Sequence, residues 1–139
     1  MPAAPFTKSA AEVERLDIRL EAVPESVGEV RRRIAEFVER YSADDTHDVA
    51  LAVTEGTTNA VLHAYRDGQA GRMRVVACAE PTRFVIVVRD YGCGMSPNPN
   101  SPGPGLGLSV IGAVAAEMSI ERPDDGGTRV RMHFPYGGS

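Results

Sequence analysis

Lysine is nearly absent from this sequence: among 139 residues the only one is Lys8, close to the N-terminus. A phosphate-binding P-loop needs a lysine after its glycines, and a protein-kinase fold needs one on an early strand. Neither arrangement is available here. Any phosphoryl chemistry in this chain must therefore use a metal ion, backbone amides and arginine.

Cysteine and long apolar runs are also scarce. The two cysteines, Cys78 and Cys93, match no metal or redox spacing, and such low cysteine usage favours a reducing compartment. No stretch approaches the roughly 20 apolar residues that a membrane span requires. The N-terminus lacks the charged start and apolar run of a secretory signal. We therefore expect a cytoplasmic protein with no membrane partner.

The charge balance argues against nucleic acid as a partner. The formal net charge is -4, and the only basic block is Arg31-Arg32-Arg33, whose side chains point in different directions on a helix. Apolar residues make up 42% of the chain, which is enough for a globular core. We expect a loose tail over residues 1–13 and one domain over 14–136, with no direct nucleic-acid binding.

The first half of the chain predicts a strand and two helices. Alternation of Leu16, Ile18 and Leu20 with charged residues predicts a half-buried strand. A capping box of Ser26 and Glu29 opens an amphipathic helix over about 25–41. A more apolar helix follows over about 45–65.

The second half predicts four strands and one more helix. Strands are expected at 73–79 and 84–88, the latter an apolar run typical of a strand covered on both faces. A proline-rich loop over 96–105 precedes a helix from Leu106 to Met118. Ile120 opens a short strand, 124–127 forms a hairpin turn, and a last strand follows. This order predicts an α+β fold: a two-layer α/β sandwich with a mixed, mostly antiparallel sheet and helices on one face.

Three short segments carry candidate chemistry, beginning with the second helix. Glu55 and Asn59 are four residues apart, so both project from one face, and His63 continues that line. Asn59 is a candidate ligand of Mg²⁺, which prefers oxygen donors, and Glu55 is a candidate base for an attacking hydroxyl or water. An ordinary solvated helix face is the alternative explanation.

The second segment follows the apolar run at 84–88. Asp90 stands at the strand end, and Gly92, Gly94 and Met95 come directly after it. Asp90 would accept a hydrogen bond from an adenine amine, and the glycines would let the backbone pass close to the base. A plain strand-ending turn is the alternative.

The third segment, Gly105-Leu106-Gly107, opens the last helix. The first amides of a helix are unpaired and its dipole favours an anion, so phosphates would fit there. A flexible linker before a capped helix is the alternative. The segment is not a dinucleotide fingerprint, because Val110 stands where a third glycine is needed.

Together, in this order, the segments resemble those of the gyrase, heat-shock chaperone, histidine kinase and mismatch-repair ATPase superfamily. Glu55 and Asn59 lie in what resembles its asparagine box, Asp90 opens the first glycine box, and Gly105-Leu106-Gly107 resembles the second. Gly127-Thr128 matches a later Gly-Thr whose threonine helps hold adenine. The resemblance implies the Bergerat-type fold of histidine-kinase-like ATPases, with ATP or ADP and Mg²⁺ bound.

Within that superfamily the helix Val-Thr-Glu55-Gly-Thr-Thr-Asn59-Ala-Val-Leu-His63 most resembles the bacterial anti-sigma factor serine kinases. The resemblance implies a protein that sequesters an alternative sigma factor and uses ATP to phosphorylate a serine on an antagonist of the STAS type. It also implies that Glu55 acts as base, Asn59 binds Mg²⁺, and His63 reaches a phosphate. A packed surface histidine is the alternative for His63. A homodimer through the first strand and helix is implied as well.

The loop between the glycine boxes departs from the family pattern. It is short and rich in proline, and it holds no arginine, so the sequence predicts a slow kinase. A nucleotide-binding partner-switch module without significant kinase activity is the alternative function. A regulatory kinase domain acting on a different partner, with no sigma factor, is a third. The sequence names neither the sigma factor nor the antagonist.

Overall fold

The computed structural model describes residues 14–64, 71–92 and 105–135. Five strands form one sheet in the order β1-β2-β3-β5-β4, and every neighbouring pair is antiparallel. The sheet of the described residues is therefore antiparallel throughout, not mixed. The strands are β1 Glu14–Glu21, β2 Arg72–Ala79, β3 Arg83–Asp90, β4 Glu117–Glu121 and β5 Thr128–Pro135.

Three helices pack on one face of this sheet. They are α1 Pro24–Glu39, α2 Thr46–Asn59 and α3 Gly105–Val114, with a short 3₁₀ turn at Ala43–Asp45 before α2. Buried side chains from all three helices form one core with the inward residues of the strands. This confirms the predicted α+β arrangement of two layers. Within the described residues, no helix combines the length and hydropathy needed to span a membrane.

Helix α1 forms as its apolar spacing predicts, but it begins differently. Val30, Ile34 and Phe37 are buried along one stripe, as the periodicity requires. The predicted capping box is wrong, because the residue before the helix is Val23, whose side chain makes no capping hydrogen bond. Pro24 occupies the first helical position instead, where its fixed φ suits a helix start.

Helix α3 is shorter than predicted. It ends at Val114, and Met118 lies on β4 opposite Met132 of β5. The change of structure occurs at Ala116, whose N–H donates to the carbonyl of His133 on β5 at 2.9 Å. Met118 packs against the core from the strand, which is why its spacing also fitted a helix. The strand therefore opens at Glu117, before Ile120.

Among the residues that the structure describes, helices cover strand β3 on one face only, which differs from the predicted coverage on both faces, although Val85 on the other face is also buried. Phe84, Ile86 and Val88 face the helices and belong to the core. Val85 and Val87 lie on the opposite side, which we call the outer face of the sheet. Val87 there is half-buried, and both valines line a groove together with arginines of neighbouring strands.

Candidate functional site

The site builds up from the end of β3. Asp90 is 1% exposed and lies directly opposite Thr128 of β5, which is also 1% exposed. The Gly92 N–H donates to the Asp90 carboxylate at 3.1 Å, and the backbone of Thr128 hydrogen-bonds the same carboxylate. Two residues that the sequence predicted to hold adenine therefore lie side by side.

Burial raises the pKa of the Asp90 carboxyl above its ordinary value, because the charged form loses hydration. The hydrogen bonds from Gly92 and Thr128, and the charge of Arg89, work against this shift. A buried carboxylate with few donors of its own is an effective acceptor for an N–H group brought by a ligand.

Gly127 is required at the turn that precedes Thr128. Its φ is +80°, and a Cβ at this position would lie 2.0 Å from the carbonyl oxygen of Asp90. Only glycine permits both the left-handed backbone and the close approach. The Gly127-Thr128 pair thus holds β5 tightly against the end of β3.

Arg89 stabilises the same turn from the outer face of the sheet. The sequence did not predict this role for Arg89. Its guanidinium donates to the carbonyl of Asp90 at 3.1 Å, to Asp125 at 2.8 Å and to the carbonyl of Gly126 at 3.1 Å. It also lies 4.5 Å from the ring centroid of Tyr91. The sequence contained no signal for this network, since its members are joined only when β3 and β5 pair.

Helix α2 brings Glu55 and Asn59 toward the end of β3. Gly56 approaches Val88 so closely that a Cβ would lie 3.3 Å from the Val88 side chain. Glu55 is half-buried and Asn59 is 5% exposed. The amide nitrogen of Asn59 is buried, and no described residue serves as its hydrogen-bond partner. A buried, unpaired amide on a helix calls for a ligand group to satisfy it.

The helix changes pitch directly after Asn59. Ala60–Ala64 forms a π-helical turn, in which hydrogen bonds join residues five apart. The α-helical spacing from Asn59 to His63 assumed in the sequence analysis therefore does not hold. The side chain of His63 itself lies outside the described residues, so its predicted role stays a prediction.

Helix α3 lies next to the helix that carries Glu55 and Asn59, because it packs directly against α2. Its first turn contains Gly105, Leu106 and Gly107. The surroundings of their side chains lie outside the part of the structure that is described. Ile111, further along, is fully buried in the core and anchors the helix. The helix whose first turn was predicted to hold phosphates thus packs against the helix that carries Asn59.

Two predicted site residues have no described position. Gly94 and Met95 belong to the segment 93–104, outside the described residues. Among the residues that are described, no group of three or more His, Cys, Asp or Glu side chains could hold a metal ion by itself.

The sequence and the fold are both similar to those of known proteins. The sequence profile described as "Histidine kinase-like ATPase domain" matches residues 20–134. The chain is 37% identical over 82 residues to the serine-protein kinase RsbW of Bacillus velezensis, covering 58% of this chain and 51% of that protein. It is 35% identical over 79 residues to the protein of the same name from Bacillus licheniformis, covering 55% and 49%. The chain thus spans about half the length of the curated relatives it matches.

A solved structure shows the same fold. The mycobacterial sensor histidine kinase MprB superposes with a TM-score of 0.53 at 22% identity, covering 89% of this chain and 97% of that one. At this identity the likeness concerns the fold alone. The antiparallel sheet with its helical layer is therefore an architecture already seen in a histidine kinase.

Proposed function

Because the chain belongs to the histidine kinase-like ATPase domain family, we propose that it binds Mg-ATP and acts as an anti-sigma factor with serine kinase activity. The observation that carries the proposal is the buried amide nitrogen of Asn59, a donor that has no hydrogen-bond partner among the described residues and that suits a phosphate oxygen. Asn59 follows Glu55 by one helical turn. The matches to proteins named serine-protein kinase support the type of activity.

In this proposal the adenine binds at the junction of β3 and β5. Asp90 accepts a hydrogen bond from the adenine amine, and Thr128 holds the same edge of the base. Gly92, Gly94 and Met95 line the base from the following loop. The backbone amides in the first turn of α3, at Gly105, Leu106 and Gly107, contact the phosphates. The side chain of His63 contacts them as well.

Mg²⁺ fits the chemistry of the residues that are present. Asn59 offers an amide oxygen to the ion, and the remaining ligands of a bound Mg²⁺ are ordinarily phosphate and water oxygens. When bound, the ion would supply charge neutralisation for the transferred phosphoryl group. With one lysine in the chain and no arginine between residues 96 and 104, few other cations serve that purpose, and we expect slow turnover.

Glu55 is the proposed general base. It is half-buried on α2 one turn before Asn59, so it lies on the side of the helix where the phosphates would end. A carboxylate there accepts the proton of a serine hydroxyl as that oxygen attacks. A protein that only senses nucleotide requires no base at this position.

The proposed partners follow from the resemblance to anti-sigma factor kinases. They are an alternative sigma factor, which the protein sequesters in the cytoplasm, and a STAS-type antagonist that carries the phosphorylated serine. A homodimer through β1 and α1 is part of the same proposal. Support comes from β1 itself, which is an edge strand whose charges complement those of an antiparallel copy of itself.

Phosphate transfer and nucleotide binding are measured separately to test the kinase proposal. The protein is incubated with labelled ATP, Mg²⁺ and candidate antagonist proteins, and ATP binding is followed by calorimetry. We expect Glu55→Gln to lower transfer by about a hundredfold or more with binding retained. Asn59→Ala should weaken Mg-dependent ATP binding by about tenfold or more.

Glu36→Gln, an exposed carboxylate on α1, is the matched control and should change neither measurement. ATP binding without label on any candidate would favour the nucleotide-dependent partner switch over the kinase. Absence of heat with both ATP and ADP would contradict the site itself.

A further inference from the structure

The outer face of the sheet carries a concentration of arginine that the sequence alone does not reveal. Pairing of the strands places one arginine from each of four neighbouring strands in a single row across the sheet: Arg19, Arg74, Arg89 and Arg129. We call these four residues the arginine row. Like charges directly opposite each other on a sheet are destabilising, and the chain as a whole carries a net charge of -4.

Carboxylates on this face are too few to neutralise the arginines. Asp17 is shared between Arg74 at 2.6 Å and Arg19 at 3.6 Å. Glu121 is likewise shared between Arg129 at 2.6 Å and Arg131 at 3.6 Å. Asp125 pairs with Arg89 alone, at 2.8 Å. These three acids therefore serve five guanidinium groups, and positive charge is left in excess.

An apolar strip lies beside the arginine row. Val76 and Val87 stand opposite each other in the next row, and Cys78 and Val85 in the one after it. These four residues and the arginines around them line a shallow groove of about 270 Å³. Among the described residues all three helices pack on the other side of the sheet, so this groove has no covering layer there.

We propose that the outer face is a docking surface for an acidic, extended segment of a partner protein. Such a segment would lie edge-on between the two rows, with carboxylates on one side reaching the arginine row and apolar side chains on the other side reaching the valines, because successive side chains of an extended chain point in opposite directions. The surface is distinct from the nucleotide site, which lies on the side of the helices, and the proposal does not depend on kinase activity.

The charges and the apolar strip together favour a protein segment over the other occupants. A nucleic acid backbone offers phosphates to the arginine row but no apolar side chain for Val76 and Val87, whereas an extended protein segment offers both. A second copy of this chain would bring the same excess of arginine to the face. Residues 1–13 hold one lysine and one glutamate, so they lack the negative charge that the row requires.

A defined peptide tests the surface. The probe is a fluorescein-labelled seven-residue peptide of alternating glutamate and valine, and its binding is followed by anisotropy and by amide shifts in NMR. We expect shifts centred on Val76, Val87 and Arg131. Binding should be weakened by added salt, since exposed charges are screened, and should be weaker for a glutamate–serine peptide that lacks the apolar contacts.

The variant Arg74→Gln/Arg131→Gln removes the excess charge without stranding a carboxylate, because Asp17 keeps Arg19 and Glu121 keeps Arg129. It should weaken the glutamate–valine peptide by about tenfold. Arg31→Gln/Arg32→Gln, on the exposed side of α1, makes the same change in net charge and should have no effect.

Three outcomes would overturn the proposal. They are an absence of saturable peptide binding to the unmodified protein, equal loss in both double variants, and tighter binding of a lysine–valine peptide. A 12-base-pair DNA duplex that binds to the same amides more tightly than the acidic peptide would also overturn it, and would assign the face to nucleic acid.

Discussion

At the scale of single residues, Asp90 links stability to the proposed function. Its folded pKa is raised by burial, so the folded state binds this proton more tightly than the unfolded state does. The stability that this residue contributes is fully present below its unfolded pKa. It is lost as the pH rises through the folded pKa, above which the protein holds a buried charge that an N–H donor on a ligand would stabilise.

Asp90→Asn should separate stability from binding. At neutral pH the variant should unfold at an equal or higher temperature than the unmodified protein, because an amide accepts the Gly92 hydrogen bond without carrying a charge. This advantage should shrink as the pH falls through the folded pKa of Asp90. ATP affinity by calorimetry should fall by about ten- to a hundredfold, as expected for a hydrogen bond to a charged group.

Asp44→Asn is the control for this comparison, since Asp44 is exposed on the 3₁₀ turn before α2. It should leave adenine binding nearly unchanged. An Asp90→Asn variant that binds ATP as well as the unmodified protein would remove Asp90 from the site.

Gly126 and Gly127 offer a matched pair of substitutions. Both have positive φ, but only at Gly127 does an added Cβ meet the Asp90 carbonyl. We expect Gly127→Ala to lower the free energy of unfolding by at least about 2 kcal/mol, since a clash adds to the left-handed strain, and Gly126→Ala by about 1 kcal/mol. Urea denaturation measures both, and equal losses would contradict the close approach.

At the scale of elements, the position of α2 on the sheet depends on Gly56, which has no side chain. Gly56 lies against Val88 and Met132, and its absence of a Cβ lets the helix carry Glu55 and Asn59 close to the end of β3. A larger residue here would push the helix away from the strand. The geometry of the site is thus set by a residue that takes no part in its chemistry.

Gly56→Val should therefore destabilise the protein by about 1–3 kcal/mol, the usual cost of overpacking a core. Gly28→Val, on α1 with nothing within 4 Å of its added Cβ, should change stability by less than about 0.5 kcal/mol. Thermal unfolding measures both variants. Similar losses at the two positions would show that glycine propensity, and not close packing, sets the effect.

Local sequence patterns predicted some of these elements and missed others for physical reasons. The stripe of Val30, Ile34 and Phe37 identified α1 because helical periodicity is read within one segment. Met118 misled the prediction because the same residue fitted the spacing of a helix and of a strand. The π-helical turn after Asn59 left no signal, since nothing in Ala60–Ala64 distinguishes it from an α-helix.

At the scale of the whole molecule, the sequence could not predict which residues become neighbours, because that depends on the register of the sheet. Asp90 and Thr128 were both predicted as site residues, yet their direct opposition follows from the pairing of β3 with β5. The arginine row arises in the same way, from residues that are far apart in the chain. The predictions for Gly94, Met95 and the proline-rich loop remain predictions, because residues 93–104 lie outside the described part of the chain.

The position of β1 at the edge of the described sheet supports the proposed dimer. Pairing two copies antiparallel about Ile18 would oppose Arg15 to Glu21 and Asp17 to Arg19, with Leu16 opposite Leu20. Centring the pair on Asp17 or Arg19 would instead oppose like charges. A groove of about 580 Å³ beside this edge, lined by Leu16, Phe37 and charged residues of α1, leaves room for the helix of a partner copy.

Charge exchange at this edge gives a measurable result. Arg15→Glu and Glu21→Arg should each shift the protein toward monomer in analytical ultracentrifugation, because each places like charges opposite one another twice. The double exchange should restore the dimer. Arg31→Glu on the exposed side of α1 should have no effect, and a sedimentation profile indifferent to all four changes would contradict pairing through β1.

The π-helical turn at Ala60–Ala64 has a consequence for how the chain tolerates changes of length. Such a turn holds one residue more than the α-helical path it replaces. Deleting a single residue within it would return an ordinary helix and leave Glu55 and Asn59 undisturbed upstream. Four residues in α-helical geometry cover nearly the same arc around the helix axis as the five of the π-turn, so the chain that follows would keep its direction. A frame-preserving deletion of one codon here would therefore spare both the helix that carries Glu55 and Asn59 and the path of the chain that leaves it.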